Sequence, residues 1–433
     1  MPTRAERVKE AIVAGNADSM LISLYGNRAG IIARQKGRYL DLIRRFQDLF
    51  PPAVSVDLFS SPGRTEIGGN HTDHNAGKVL AAAVDLDIIA AAAANDRGCI
   101  TIESEGHSRV QVDLNQLAPQ AEETLKSPSL VRGICSGLRE RGYRIGGFDA
   151  VLKSDVLRGS GLSSSAAFET LVVAVLNHLY NAGAVPPIEA AKIGQYAENE
   201  FFGKPSGLMD QMACAVGGFV AIDFKSAAEP LVERVEFDLG ASVYKLVIVN
   251  TGGSHADLHE DYAGLPREMR SVAAAFGGHV LREFSLRKVL DNVAALREKV
   301  GDRAILRAMH FYRENQRVVG QVEALRSGDF PAFLRLVIDS GRSSWMLCQN
   351  CYSPANPLEQ GISLALAVSE EILRGKGAWR VHGGGFAGTI QAFAPDSWLA
   401  EYLRTMRGIF GEQSCYELNI RSAGATPVKL AVE

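Results

Sequence analysis

One stretch, residues 157–169 (LRGSGLSSSAAFE), limits what this chain can become. The preceding residues 148–155 (FDAVLKSD) have the composition of a strand, and Leu171, Val172, Val175, Leu176 and Leu179 recur after it at helical spacing on one face. The chain must therefore turn from strand to helix across glycines and serines. Glycines let a backbone approach an anion closely, a helix N-terminus offers unpaired N–H groups and the positive end of its dipole, and serine hydroxyls reach phosphate or metal. A phosphate cradle has these needs, and so does a Ser-rich cap on an ordinary helix. The P-loop pattern is excluded because no Lys follows the last glycine.

With 433 residues, 46% hydrophobic and 22% charged, the chain has material for two or three domains with large cores. A formal net charge of -3 leaves no basic excess, so neither a nucleic-acid nor a membrane partner is expected. The opening MPTRAERVKEAIVAG lacks the apolar core of a secretion signal, and the longest small-apolar run, residues 88–94, is too short to span a bilayer. A cytoplasmic protein with reduced thiols follows as the expectation. Cys348 and Cys351 form a CxxC, but no second CxxC or paired His spacing accompanies it, so coincidental spacing is the better reading.

Residues 2–50 read as helices, with Tyr39, Leu42, Ile43, Phe46, Leu49 and Phe50 forming an amphipathic stripe that stops at Pro51 and Pro52. The period then changes to two, and strands are expected at Val54–Val56–Leu58, 78–94, 99–114 as a pair, 148–155 and 218–224. A helix is expected over 188–202, a crossing between halves over 225–240, a strand over 244–250, helices through 267–325, 331–337 and 359–373, and a last strand-and-helix set from 388 onward. The reading is α+β, with a helical extension at 1–52, one domain at 53–237 and a second at 238–433.

Three further stretches carry chemistry. Residues 63–75 (GRTEIGGNHTDHN) read as a turn-rich loop with Arg64, His71, Asp73 and His74, short polar groups among glycines suited to a ligand with several hydroxyls. Residues 197–211 (AENEFFGKPSGLMDQ) put Glu198 on a helix and Asp210 after a glycine turn, and residues 382–388 (HGGGFAG) permit a close backbone approach. Each has a plainer reading: Asp210 as a turn residue or cap, Arg64 as an ion-pair partner, Glu198 on a solvated face, the glycine triplet as a structural turn.

At these residues the chain resembles the galactokinase family, within the superfamily of homoserine, mevalonate and phosphomevalonate kinases. The three signatures stand in order as GRTEIGGNHTDHN, GSGLSSSAA and GGGFAG, with PSGLMDQ between the last two and Tyr262 seven residues after His255. The resemblance covers residues 54–263 and 377–388 well and the first fifty poorly. It implies the two-domain kinase fold of that superfamily, with ATP and sugar meeting in the cleft between halves. It also implies residue roles: Asp210 as catalytic base, with Arg64 stabilising it and the transferring phosphoryl; His71, Asp73 and Tyr262 on the sugar; Ser165 with Glu198 on Mg²⁺. The backbone from Gly159 through Ser160, Gly161, Leu162 and Ser163 to Ser164, together with Ser165, would cradle the ATP phosphates.

Two positions depart from the family's Gly-Glu-His-Thr-Asp-Tyr-Asn, since Asn70 stands for the Glu and His74 for the Tyr. The family Glu approaches the sugar at its C6 end. Two like charges ~4 Å apart at an effective dielectric near 20 cost roughly 4 kcal/mol, so a neutral Asn70 removes a barrier to a C6 carboxylate. Galactose is thus the first expected substrate of an ATP-dependent sugar 1-kinase and a galacturonate-type acid the second, with Asn70→Glu expected to restore galactose preference if the acid wins. A non-catalytic sugar sensor competes, although Ser165, Ala166, Ala167 and Asp210 are intact. A metal-dependent hydrolase on His71, Asp73 and His74 explains neither the serine loop nor the glycine run.

Overall fold

The computed structural model describes residues 4–28, 30–50, 55–156, 161–226, 229–253 and 258–430. Among these, an eight-stranded and a four-stranded sheet organise the chain. The first half begins with α1 (Arg4–Val13), α2 (Asp18–Tyr25) and α3 (Ile31–Leu49), then β1 (Asp57–Gly68), β2 (Lys78–Ala94), β3 (Cys99–Ser104), β4 (Val110–Asp113), α4 (Ser127–Glu140) and β5 (Phe148–Ser154). It continues with α5 (Ser164–Asn181), α6 (Pro187–Tyr196), a π-turn (Ala197–Phe202), α7 (Met209–Val216), β6 (Phe219–Asp223) and β7 (Leu231–Val235). The second half is β8 (Tyr244–Asn250), α8 (His259–Ala275), α9 (Leu286–Asp291), α10 (Val293–Val300), α11 (Asp302–Arg326) and α12 (Phe330–Ser343). After these come α13 (Gly361–Leu373), β9 (Ala378–His382), β10 (Thr389–Pro395), α14 (Asp396–Phe410), β11 (Cys415–Leu418) and β12 (Thr426–Pro427).

Strand β2 is the spine of the large sheet. Its sequence, KVLAAAVDLDIIAAAAA, is apolar at successive positions, as a strand covered on both faces requires. It pairs with β1 along one side and with β6 and then β5 along the other. Side chains alternate across a strand, so Ile89, Ala91 and Ala93 face one way and Ala90 and Ala92 the other. Tyr39, Leu42, Ile43 and Phe46 of α3 cover the first face together with Leu58 and Val151. The stripe on the N-terminal helices thus finds its partner on the first sheet. The opposite face joins α4 and α5, and the same cluster continues into Leu246, Ile248, Phe333 and Phe393 of the second half, so one core spans both.

Asp87 on β2 breaks the apolar run and is fully buried. It accepts from Arg38 of α3 at 2.8 Å, Tyr25 at 2.5 Å, Arg421 at 3.4 Å and the Ser60 hydroxyl. One carboxylate therefore ties the N-terminal helices, the sheet and the segment leading to β12.

The structure corrects two expectations. Residues 63–68, read as part of a loop, are the end of β1. Residues 225–240, read as a crossing between halves, contain β7, which extends the first sheet by pairing with β6. Leu231, Glu233 and Arg234 of β7 are exposed, so the strand lacks the alternation that sequence reading relies on. In the four-stranded sheet the order is β11-β8-β10-β9, and β12 pairs with β1 of the first sheet. The expected boundary at 237 is thus crossed by the pairing of residues 426–427 with Phe59 and Ser60. Pro51, Pro52 and Val54 lie outside the described residues.

Candidate active site

The site begins where the pairing of β1 with β2 is interrupted. Pro62 has no N–H to offer, and the β1–β2 register slips between Pro62 and Arg64. Gly63 lies so close to the serine loop that a Cβ there would sit 2.8 Å from the Leu162 carbonyl oxygen. The Arg64 N–H donates to that oxygen at 3.0 Å. The irregularity thus turns one backbone N–H of β1 onto the loop before α5 while the pairing with β2 resumes at Arg64, and the Arg64 side chain reaches Asp210 in the first turn of α7.

Arg64 and Asp210 form a two-pronged pair, Nε to Oδ1 and Nη2 to Oδ2, each at 2.7 Å. Arg64 Nη1 donates to the Gly161 carbonyl. The Arg64 side chain is 9% exposed and that of Asp210 30%, so the carboxylate is the half a ligand can reach. Ser163 stands at the cap position of α5 with a left-handed φ of 56°, yet its side chain makes no cap hydrogen bond. Its hydroxyl donates to Asp210 Oδ2 instead, so at this serine the plain helix-cap reading fails. Burial opposes ionisation of Asp210, but Arg64, then Ser163 and Lys204, outweigh it and hold the carboxyl below the ordinary aspartate range.

Beside this pair, Ser165 in the first turn of α5 places Oγ 3.5 Å from Glu198 Oε1. Glu198 sits in the π-turn, 3% exposed, and its Oε2 accepts from Gln211 Nε2 at 2.8 Å. The same Gln211 nitrogen donates to Glu169 Oε2 at 3.0 Å, while Glu169 Oε1 is buried with no partner. Burial, followed by the charge of Glu198, pushes the Glu169 carboxyl well above its ordinary range. A hydroxyl and a carboxylate at a helix start are all-oxygen donors, and they fit a small hard divalent cation that keeps most of its water. Among the described residues, no group of three or more His, Cys, Asp or Glu could hold a metal. The hydrolase reading on His71, Asp73 and His74 finds no support there. Gly159 and Ser160 lie outside the described residues; Gly161, Leu162 and Ser164 continue the loop into α5.

The expected sugar contacts converge on the glycine loop. Asn70 Nδ2 donates to the Gly383 carbonyl at 2.8 Å, His71 Nε2 lies 2.8 Å from that of Gly384, and Tyr262 OH donates to that of Gly385 at 2.9 Å. Gly384 must be glycine, since a Cβ would lie 2.5 Å from Tyr262 Cε1. Burial, then His74, lowers the His71 pKa, so its ring is the neutral form, and burial raises the Tyr262 hydroxyl to about 12. Asp73 lies against the loop leading to Asp210, with Oδ2 2.5 Å from where a Gly207 Cβ would be. His74 is exposed, and its ring faces that of His71 with centroids 6.4 Å apart.

Asn70 is the exception in this group because it is fully buried in the wall. Its Nδ2 also donates to Glu66 Oε1 at 3.1 Å, and its Oδ1 accepts from Asn350 at 2.9 Å and Ser344 at 3.2 Å. Glu66 in turn accepts from Arg380 of β9 at 2.6 Å. Asn70→Glu would replace two donated bonds with a carboxylate facing Glu66 and a carbonyl, at ~1–3 kcal/mol for each buried group left unpaired. The expected result is a lower thermal midpoint and a parallel loss of kcat/KM on galactose and galacturonate. A stable variant with switched preference would return Asn70 to the ligand.

Sequence reading assigned no role to His382, Glu66, Lys204 or Glu169. His382 bridges Thr65 at 3.1 Å and Thr389 at 2.9 Å, and Gly161 rests on its ring. Burial, then Arg64, lowers its pKa well below the usual imidazole range, so it supports the loop as a neutral ring. Thr389 is seven residues away, but Thr65 is 317 residues away and leaves no local signal in the sequence. The Cys348 and Cys351 thiols are buried and pushed upward, so neither is a poised thiolate.

The bulged strand, the serine loop entering α5 and the glycine loop closing over them define a GHMP kinase. Residues 129–218 match the GHMP kinases N terminal domain, and residues 44–94 match the galactokinase galactose-binding signature. A galactokinase of Streptomyces coelicolor is 31% identical over 353 residues, 80% of this chain and 86% of that protein. The chain belongs to the galactokinase family. Lactococcus lactis galactokinase complexed with galactose superposes with a TM-score of 0.75 at 25% identity, covering 88% of this chain and 98% of that one. A Methanococcus jannaschii mevalonate kinase shares the fold at a TM-score of 0.61 and 15% identity, covering 85% and 99%. Among the described residues, no helix is long and apolar enough to cross a membrane.

Proposed function

We propose that the chain is an ATP-dependent sugar 1-kinase that converts galactose and ATP to galactose 1-phosphate and ADP in the cytoplasm. The observation that carries this reading is the Arg64–Asp210–Ser163 constellation at the start of α5. A carboxylate that a ligand can reach is held there beside a cation and a helix N-terminus. Phosphoryl transfer passes through a loose transition state, so positioning and charge neutralisation do most of the work and a modest base suffices. The sugar's anomeric oxygen takes the terminal phosphoryl group of ATP, its proton passes to Asp210, and ADP leaves. Arg64 orients Asp210 and faces the charge that develops on the phosphoryl oxygens. The backbone from Gly159 to Ser164 cradles the nucleotide phosphates, and His71, Asp73, His74 and Tyr262 line the sugar side. Ser165 and Glu198 would hold Mg²⁺, which supplies neutralisation of phosphate charge.

Galactose stands ahead of galacturonate because the Asn70 amide is engaged inside the wall by Gly383, Glu66, Ser344 and Asn350, so its neutrality opens no place for a C6 carboxylate. An ADP-release screen with Mg-ATP against galactose, galacturonate, N-acetylgalactosamine, arabinose and glucose tests the reading. The highest kcat/KM is expected for galactose. Turnover of another sugar alone would remove the substrate assignment, and sugar binding without turnover would make the protein a sensor.

A further inference from the structure

Glu198 already has a cation beside it. The π-turn that carries Glu198 closes at Gly203, whose φ is 84°, and both the Gly203 and Lys204 N–H groups donate to the Glu198 carbonyl at 3.1 Å. Having anchored its backbone on Glu198, Lys204 folds its side chain back so that Nζ donates to Oε1 of the same residue at 3.0 Å. Oε1 is also the oxygen nearest Ser165 Oγ, and Oε2 is occupied by Gln211. The ammonium therefore sits on the carboxylate oxygen that the proposed cation would use.

The two partners differ in freedom. The Glu198 side chain is 3% exposed and fixed by Gln211, whereas the Lys204 side chain is 57% exposed. An incoming cation cannot displace the carboxylate, but the lysine can swing into solvent or onto an anion. Through Glu198 the ammonium stands beside Ser165 in the first turn of α5, two residues from the Ser163 that holds Asp210.

We propose that Lys204 is a stand-in cation: it neutralises Glu198 until a divalent ion takes that carboxylate, and the released ammonium then binds the phosphates of the nucleotide. The phosphate-binding half rests on the kinase reading; the competition for Glu198 does not. Lysine suits both duties, because its ammonium is a compact charge on a flexible stem and serves as a phosphate binder without a fixed hydrogen-bonding plane. Exchange of one cation for another also spares the site a buried carboxylate with no counter-charge in either state.

Lys204→Met keeps the stem and removes the charge. Mn²⁺ titrated into the nucleotide-free protein, followed by electron paramagnetic resonance, should bind the variant about tenfold more tightly, the scale expected when one solvent-exposed competing charge is lost. Under saturating Mg-ATP and galactose, the variant should lose about 10–100-fold in kcat with little change in galactose KM, as for a missing electrostatic partner of the phosphoryl group. Lys204→Arg should recover part of that turnover. Equal or weaker Mn²⁺ binding in Lys204→Met overturns the competition, and unchanged kcat overturns the phosphate contact. A wild-type protein that phosphorylates no sugar would defeat the kinase reading instead, and the Mn²⁺ comparison would still decide the role of Lys204 at Glu198.

Discussion

Asp210→Asn is expected to lower kcat by ~10²–10⁴, the span of a lost general base. The substitution keeps shape and changes two things. An amide has far too little proton affinity to accept the sugar's proton. It also turns one N–H toward Arg64, so the two-pronged pair at 2.7 Å loses one of its acceptors. Arg64, 9% exposed, would keep the Gly161 carbonyl but lose its counter-charge. A loss of stability should therefore accompany the loss of turnover, and thermal melts and nucleotide binding on the same preparation separate the two. Ser163→Ala provides the graded case, because it removes one hydrogen bond from Asp210 and leaves its charge and Arg64 in place. The low proton affinity of Asp210 also fixes a direction in pH: an acid limb of kcat/KM due to this group should fall below the ordinary aspartate range. Near-normal turnover of Asp210→Asn in a folded protein would show that the residue only orients the sugar.

The largest effect on stability should come from a residue remote from the chemistry. Asp87→Asn would leave the buried guanidinium groups of Arg38 and Arg421 facing each other without their shared carboxylate. Breaking a buried ion pair by removing one partner costs ~3–5 kcal/mol; here Arg421 loses its carboxylate, while Arg38 keeps only Asp155 at 3.3 Å. Tyr25 and Ser60 also lose a charged acceptor. Burial works against ionisation of Asp87, yet Arg38, then Arg421, Ser60 and Tyr25, hold its carboxyl below the usual range. A lowered native pKa contributes stability that is full above the unfolded value and is lost as pH falls through the native one. Thermal and urea midpoints measured at pH 7 should drop clearly in the variant, and the difference from wild type should shrink in acid. Equal midpoints at pH 7 would mean that the network contributes nothing net.

What the sequence announced, and what it withheld, follows from where each pattern is written. The strands β2 and β8 are legible to the residue because a largely apolar run between turn signals is a local property. β7 was missed because an edge strand half open to water has no period to detect. The chemistry of the serine loop was legible from its glycines, hydroxyls and following helix. What Ser163 does was not, because its acceptor lies 47 residues away on α7. Asn70 shows the limit most clearly. A single changed residue in a sugar loop invites a substrate explanation, but its partners Ser344 and Asn350 lie 274 and 280 residues downstream. A substitution inside a buried polar network is interpretable only with the network in view.

The pairing of β12 with β1 has a consequence for the order of assembly. Phe59 meets Pro427 and Ser60 meets Thr426, so the outer edge of the first strand is covered by almost the last segment described. During synthesis every other strand of the large sheet is available long before residue 426 has been made. Until then β1 shows an open edge, and Asp87 lacks Arg421 as one of its two cations. An exposed edge beside an unsettled buried charge is where a half-made chain recruits the wrong strand. A sheet formed before residue 426 emerges therefore still awaits its final clasp, and the window for mispairing closes with the arrival of two residues, Thr426 and Pro427.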